Sequence, residues 1–189
     1  DKIAAEMQQI EDSFLFVSAA SILFDAMSKL GISSESVVNE KHDLVGEALE
    51  RVGAIEDPKG TKGPYEQLQV YSNLFLGVAE IGLTARLTDT HDYVKDGLDL
   101  IDQVDDLFYK GRAAAVLINV LAIIDKDLLQ AYDSDPMEKL LSFMDVELNR
   151  DPELTRMSKR DSYYVFPLLS TLNAISVMGD QKYLTYKRD

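Results

Sequence analysis

The sequence predicts an all-α fold of about eight helices, built from stacked antiparallel helix pairs that form an α-α superhelix or a helical bundle. Three observations lead to this class. Apolar residues recur at intervals of three or four through most of the 189 residues, which places them on one face of a helix. Capping and turn-forming residues separate these stretches. Two segments of the chain also align without gaps, as expected of a repeated helix pair.

The first two helices are predicted to form one pair. Apolar residues line one side of the stretch 3–30, which predicts a long helix that ends at Gly31. Ser33 and Ser34 are candidate N-caps of the second helix, whose apolar face continues as far as Gly53.

A second pair follows the charged and turn-forming stretch 56–64, which predicts an exposed loop or hinge. Tyr65 opens the apolar stripe of a third helix, which Thr88 and Asp89 are expected to close. Asp89 or Thr90 then caps a fourth helix, whose apolar and acidic faces are the most clearly separated in the chain.

The C-terminal half is predicted to contain two more pairs. The stretch 113–124 is apolar on nearly every side, which predicts a helix surrounded by neighbours. Asp135 suits the start of a sixth helix, and the charged stretch 149–161 predicts a second exposed loop or hinge. The apolar pattern then resumes as far as Gly179. We expect residues 1–189 to form a single all-helical domain.

Internal repetition supports the pairing. The segment 42–50 aligns with the segment 91–99 at a spacing of 91 − 42 = 49, and weaker counterparts begin at Asp135 and Asp180. Repeats of about 45 residues are typical of two-helix units that bury a continuous core by stacking. The alternative is that these segments share only the chemistry of a helix start, in which case the helices close into an antiparallel bundle.

Composition excludes several classes of function. The chain has 19 Lys and Arg against 33 Asp and Glu, a formal charge of −14, which opposes nucleic-acid binding and docking on anionic lipid. No uninterrupted apolar run reaches the roughly 20 residues that cross a bilayer, so we expect a soluble protein without direct membrane insertion. The absence of cysteine excludes disulfides, thiolate metal sites and cysteine nucleophiles. Because the chain opens with Asp1, removal of a presequence is one option, and the compartment stays open.

Sequence motifs for catalysis are missing or partial. The chain has no GxGxxG, Walker A or GxSxG sequence, so we predict no cofactor and no enzyme of those classes. Its two histidines each precede an aspartate, an order that resembles the ligands of the all-helical HD metal phosphohydrolases. The resemblance implies a divalent metal held by His42, His91 and Asp92, with a metal-bound water attacking a phosphate ester. Alternatively, both pairs are helix starts at which the helix dipole favours the aspartate.

The C-terminal part carries a local excess of basic and tyrosine residues. Tyrosine and arginine are enriched at energetically strong interfaces, so these residues predict a docking surface for an acidic protein. The candidate partner-binding residues are Arg160, Tyr163, Tyr164, Tyr183, Tyr186 and Lys187.

These patterns predict a non-enzymatic helical interaction module that serves as a scaffold or accessory subunit of a larger assembly. Two other hypotheses remain at this stage. One is the metal-dependent phosphohydrolase, and the other is a binder of a lipophilic small molecule in a cavity between helices.

Overall fold

The computed structural model describes residues 2–55, 63–105, 107–130, 132, 138, 141–142 and 161–179. Within these ranges the fold is all-α, which confirms the predicted class. The α-helices are α1 (Lys2–Met7), α2 (Ser13–Leu30), α3 (Leu44–Gly53), α4 (Gly63–Glu80), α5 (Tyr93–Asp102), α6 (Leu107–Ile124), α7 (Lys126–Gln130) and α8 (Asp161–Met178). Short 3₁₀ turns lie at Ser34–Ser36 and Thr84–Leu87, and an antiparallel two-residue ladder joins β1 (Val38–Asn39) to β2 (His42–Asp43).

The described helices belong to two compact units, unit 1 (Asp1–Asp99) and unit 2 (Leu100–Asp189). The prediction of one domain over residues 1–189 stays a prediction. Of the two predicted loops, residues 56–62 and 149–160 lie outside the described ranges, while Gly63 and Asp161 are the first residues of helices α4 and α8.

The long N-terminal helix predicted over residues 3–30 is divided in the structure. The chain leaves helical conformation after Met7, and α2 starts at Ser13. Asp12 causes this new start, because its Oδ1 accepts a hydrogen bond from the backbone N–H of Leu15 at 2.8 Å. The predicted end is confirmed, since Gly31 adopts φ 64°, a left-handed conformation that favours glycine.

The predicted start of the second helix is wrong. Ser33 does cap a helical turn, but that turn is the 3₁₀ segment, in which its hydroxyl accepts from the N–H of Glu35 at 3.3 Å. The chain then forms the β1–β2 ladder, and Asp43 caps α3 by accepting from the N–H of Gly46 at 2.8 Å. The helix ends at Gly53, as predicted.

The boundary between the third and fourth predicted helices also differs. Helix α4 ends at Glu80, before the expected stop at Thr88 and Asp89, because Gly82 turns the chain with φ 79°. Helix α5 is capped by Asp92, whose Oδ1 accepts from the N–H of Lys95 at 2.8 Å. The proposed caps Asp89 and Thr90 therefore lie before the helix start.

The repeated sequence corresponds to repeated structure. Helices α3 and α5 each contain 10 residues and start 93 − 44 = 49 positions apart, behind equivalent aspartate caps. The long helices α2, α4, α6 and α8 each contain 18 residues. A glycine with positive φ follows three of them, at Gly31, Gly82 and Gly179. The predicted helix starts at Asp135 and Asp180 lie outside the described residues.

The successive helices α2, α3 and α4 of unit 1 run in opposite directions, as in stacked helix pairs. Near the end of α3, Arg51 donates to the carbonyl of Ile10 at 2.6 Å and its guanidinium lies 4.1 Å from the centroid of the Phe16 ring, both near the start of α2. The carbonyl of Val52 accepts from Gln67, near the start of α4, at 2.9 Å. Helix α3 is thus antiparallel to both neighbours, and α2 and α4 run in the same direction.

The core of unit 1 lies among α2, α3 and α4, with the most extensive packing between α2 and α4. Its largest fully buried side chains on these helices are Phe16, Phe24, Leu44, Leu49, Leu68, Leu74 and Phe75. The two long helices approach closely at Gly77, where an added Cβ would lie 3.1 Å from the Cβ of Phe24 and 3.3 Å from the carbonyl oxygen of Ser21. A larger residue there would force the helices apart.

Unit 2 is built in a similar way around two long helices. Helix α6 packs most extensively against α8, and the amide of Asn173 donates to the side-chain oxygen of Asn119 at 2.7 Å across this contact. Ala114, Leu117 and Leu121 of α6 are fully buried, which confirms the prediction of a helix surrounded by neighbours. Its last turn is the exception, because Ile123 is half exposed.

Candidate functional site

A groove between α2 and α4, with a volume of about 300 Å³, lies in unit 1. Its floor consists of Ser21, Val70 and Gly77, which are buried. The Ser21 hydroxyl donates to the carbonyl of Val17 at 2.8 Å, so this polar group is satisfied within its own helix. The close approach of the helices at Gly77 gives the groove its base, and we call it the α2–α4 groove.

The walls of the α2–α4 groove combine apolar and polar side chains. Ile22 of α2 is 70% exposed, although it stands beside a buried helix contact. Leu76 of α4 lines the same groove, and Ser18 and Asn73 add neutral polar groups. An exposed isoleucine in a concave site provides apolar area that a ligand can bury.

One end of the α2–α4 groove is acidic. Asp25 and Glu80 line it near the C-terminal ends of their helices. Lys29, one turn after Asp25, lies 2.7 Å from its carboxylate, and this hydrogen bond raises the pKa of Lys29. Within the described part of the chain the Glu80 side chain forms no hydrogen bond or close ion pair, but its charge contributes to the raised pKa of Lys29.

The two His-Asp pairs are helix starts in the structure. Asp43 and Asp92 cap α3 and α5 with the same geometry, and each accepts from the N–H three residues later. This geometry agrees with the capping interpretation of the repeated sequence. The Oδ1 atom of each aspartate therefore accepts a backbone hydrogen bond.

The two histidines have separate local partners. The Nε2 atom of His42 lies 3.0 Å from the side-chain nitrogen of Asn39 and 3.2 Å from the carbonyl oxygen of Ser36. The Nε2 atom of His91 lies 2.6 Å from a carboxylate oxygen of Asp96. Among the described residues, no three side chains of the metal-binding types converge on a possible metal position.

A polar cluster connects the first helix pair of unit 1 to the second. The Arg86 guanidinium, in the 3₁₀ turn after α4, pairs with the Asp43 carboxylate that caps α3. Gly46 makes room for this ion pair, because an added Cβ would lie 2.7 Å from Oδ2 of Asp43 and 2.9 Å from Nη2 of Arg86. The cluster therefore links neighbouring repeats.

Two tyrosines of unit 1 have raised pKa values. Burial raises the pKa of Tyr93, and the negative charge of Glu50 adds to the shift. The Tyr93 ring also packs edge-on against His91, with 4.7 Å between ring centroids. Burial likewise raises the pKa of Tyr71, whose ring contacts Phe75 edge-on at 5.4 Å. In both residues burial favours the neutral phenol over the phenolate.

The predicted partner-binding surface lies outside the described part of the chain. Tyr163 and Tyr164 belong to α8, but their side chains lie outside the described structure, as do Arg160 and the C-terminal residues Tyr183, Tyr186 and Lys187. The surface stays a prediction.

Helix α2 also has the length and composition of a membrane-crossing helix. Its 18 residues have a mean hydropathy of 1.4, and it alone meets this criterion among the described helices. Buried core helices of soluble proteins have the same properties. Phe16, Val17 and Phe24 of α2 belong to the core of unit 1. The predicted absence of membrane insertion stays a prediction.

The groove residues Ile22 and Glu80 were not predicted from the sequence. One sequence feature could have identified Ile22. It lies five positions after the core residue Val17, a spacing that places it on a different side of α2 from the buried residues. Nothing in the sequence distinguishes Glu80 from other charged residues at helix ends.

Comparisons of the chain with protein-family models, curated proteins and solved structures found no match. Function is therefore inferred from the geometry and charge of the described residues.

Proposed function

We propose that this protein is a non-enzymatic helical interaction module, a scaffold or accessory subunit that holds a segment of a partner protein in the α2–α4 groove. The exposure of Ile22 carries the proposal. This side chain is 70% exposed and lines a groove of about 300 Å³. Apolar surface concentrated in a concave site is typical of a binding surface.

A helical segment suits the shape of the groove. Two helices of 18 residues run in the same direction, and each is about 27 Å long at 1.5 Å per residue. A third helix laid along them inserts its side chains between the two rows, as in other helix-in-groove complexes. Such a segment would bury Ile22 and Leu76 together.

The polar groups of the groove favour a protein segment over a lipophilic small molecule. A compact apolar ligand would remove Asp25 and Glu80 from water without replacing their hydrogen bonds, at a cost in free energy. A peptide can supply matching polar and charged side chains at that end. The groove is also partly open to solvent, unlike an enclosed ligand cavity.

A selection experiment tests this proposal. A displayed library of helical peptides of about 18 residues, five turns long, is selected on the intact protein. The selected peptides should lose at least about tenfold in affinity for the Ile22→Asp variant, because a carboxylate replaces buried apolar contact. Fluorescence anisotropy measures the affinities.

Ile123→Asp provides the matched control. Ile123 is also an exposed isoleucine near the end of a long helix, but it belongs to unit 2 and does not line the groove. Its substitution should leave peptide binding unchanged. The proposal is wrong if no selected peptide depends on Ile22, or if the two substitutions weaken binding equally while circular dichroism shows both variants folded.

A further inference from the structure

We propose that the segment bound in the α2–α4 groove is a basic amphipathic helix, with apolar side chains on Ile22 and Leu76 and lysine or arginine beside Asp25 and Glu80. This inference rests on the proposed function and adds the chemistry of the partner. It follows from the distribution of charge along the groove and over unit 1.

Unit 1 carries most of the negative charge of the protein. Residues 1–99 contain 18 Asp and Glu and 8 Lys and Arg, a formal charge of 8 − 18 = −10, compared with −14 for the whole chain. A potential of this sign attracts a basic segment during diffusional encounter and repels an acidic one. The partner of unit 1 is thereby selected by charge before it makes contact.

The charge inside the groove is concentrated at one end. Because α2 and α4 run in the same direction, their C-terminal ends lie together, and each carries the partial negative charge of its helix dipole. Asp25 and Glu80 add two carboxylates at the same end. Lys29 is the neighbouring base: it pairs with Asp25 at 2.7 Å, and the charge of Glu80 also raises its pKa. One lysine beside two carboxylates leaves a net negative charge at this end of the groove, which a cationic side chain of the partner would neutralise.

The rest of the groove fits the apolar side of the same helix. Ile22 and Leu76 line it, and beyond the lining residues Phe14 and Leu15 are exposed toward the N-terminal end of α2. These side chains follow one another along the helix axis, so a partner helix with an apolar stripe can bury them together. An amphipathic helix that is basic at one end therefore matches both the apolar and the acidic parts.

The composition of the selected peptides tests this inference. Peptides whose binding depends on Ile22 should contain more lysine and arginine than the starting library, and their affinity should fall as salt concentration rises. For a selected basic peptide, Glu80→Lys should weaken binding by about fivefold or more, because it replaces attraction with repulsion.

Glu40→Lys is the control for the change in net charge. Glu40 is exposed in the turn between β1 and β2 and does not line the groove. Equal weakening by both lysine substitutions would show that only the overall charge of unit 1 matters and would overturn the placement at Glu80. Ile22-dependent peptides with no excess of basic residues would overturn the inference while leaving the proposed function intact. Loss of the Ile22 dependence itself would instead reject the proposed function.

Discussion

At the scale of single residues, Asp43 both caps a helix locally and forms an ion pair with a distant segment. One carboxylate oxygen caps α3 through the N–H of Gly46, and the other pairs with Arg86 from the following repeat. Capping is a local interaction that the sequence indicates, whereas the ion pair requires that two distant segments meet. Asp43 therefore ties the start of a helix to the packing of its neighbour.

These two roles can be separated by substitution. Asp43→Asn retains an N-cap and removes the charge, so it should lower the free energy of unfolding by at most about 1 kcal/mol. Asp43→Ala removes the cap as well and should cost about 1 kcal/mol more. Urea unfolding followed by circular dichroism measures both values. Equal losses for the two variants would mean that the cap contributes nothing.

Tyr71 makes the free energy of unfolding of unit 1 depend on pH in the alkaline range. Burial raises its pKa in the folded state, so the unfolded chain loses this proton at lower pH than the folded protein. The stabilisation is complete below the unfolded pKa of about 10 and is lost as pH rises toward the folded value. For a single tyrosine, the loss at pH 11 is about 1.4 kcal/mol relative to pH 8.

Tyr71→Phe should remove this part of the pH dependence. Phenylalanine keeps the edge-on ring contact with Phe75 but cannot ionise. The free energy of unfolding, measured in urea at pH 8 and pH 11, should therefore fall less in the variant than in the parent protein. An equal fall in the free energy of unfolding between pH 8 and pH 11 in both proteins would show that Tyr71 does not resist ionisation in the folded state.

At the scale of helices, the contact between α2 and α4 is the feature on which the groove depends. Both helices are 18 residues long, and they meet where Gly77 lies against Phe24 and the backbone of Ser21. The glycine lowers the intrinsic stability of α4 but permits the close approach. The groove exists because the helices touch at this point and leave Ile22 outside the contact.

A pair of glycine substitutions tests this close approach. Gly77→Ala should destabilise the protein by about 1–3 kcal/mol, because its Cβ would lie 3.1 Å from the Cβ of Phe24. Gly53→Ala, in α3, meets only the Tyr71 hydroxyl at an ordinary 3.8 Å and should stabilise by up to about 1 kcal/mol through helix propensity. Thermal unfolding distinguishes the two signs. Stabilisation by both changes would contradict the tight contact.

At the scale of the whole molecule, repetition organises the chain. Long helices of equal length alternate with shorter segments, and the packing of one long helix on the next dominates in each unit. In each unit the long helices bury apolar surface on one another, a packing that helical repeat proteins also show. The described units are therefore expected to unfold with partial independence.

A fragment of residues 1–105, which keeps α5 intact, tests this expectation. Unit 1 has its own core among α2, α3 and α4 and should remain helical and unfold cooperatively in urea without the rest of the chain. Circular dichroism and the sharpness of the transition provide the measurements. A fragment without a cooperative transition would support the predicted single domain over residues 1–189.

The amino-acid sequence by itself determined the helical class and several helix ends. Gly31, Gly53 and Gly179 mark these ends because the local pattern of apolar residues stops at a glycine, and the negative charge follows directly from composition. It also pointed to the repeated His-Asp segments as helix starts. The predicted helix boundaries were wrong where a polar residue could take either of two local roles. Asp12 caps a new helix instead of continuing the first one, and Ser33 caps a 3₁₀ turn instead of an α-helix.

Tertiary structure alone decided where the α2–α4 groove forms. Apolar periodicity shows which face of α2 is available for burial, but the side chains that remain exposed depend on where α4 makes contact. That contact is set by close packing at Gly77, between residues far apart in sequence. Ile22 became a candidate binding residue, and Glu80 its acidic neighbour, only once two helices from different repeats lay side by side.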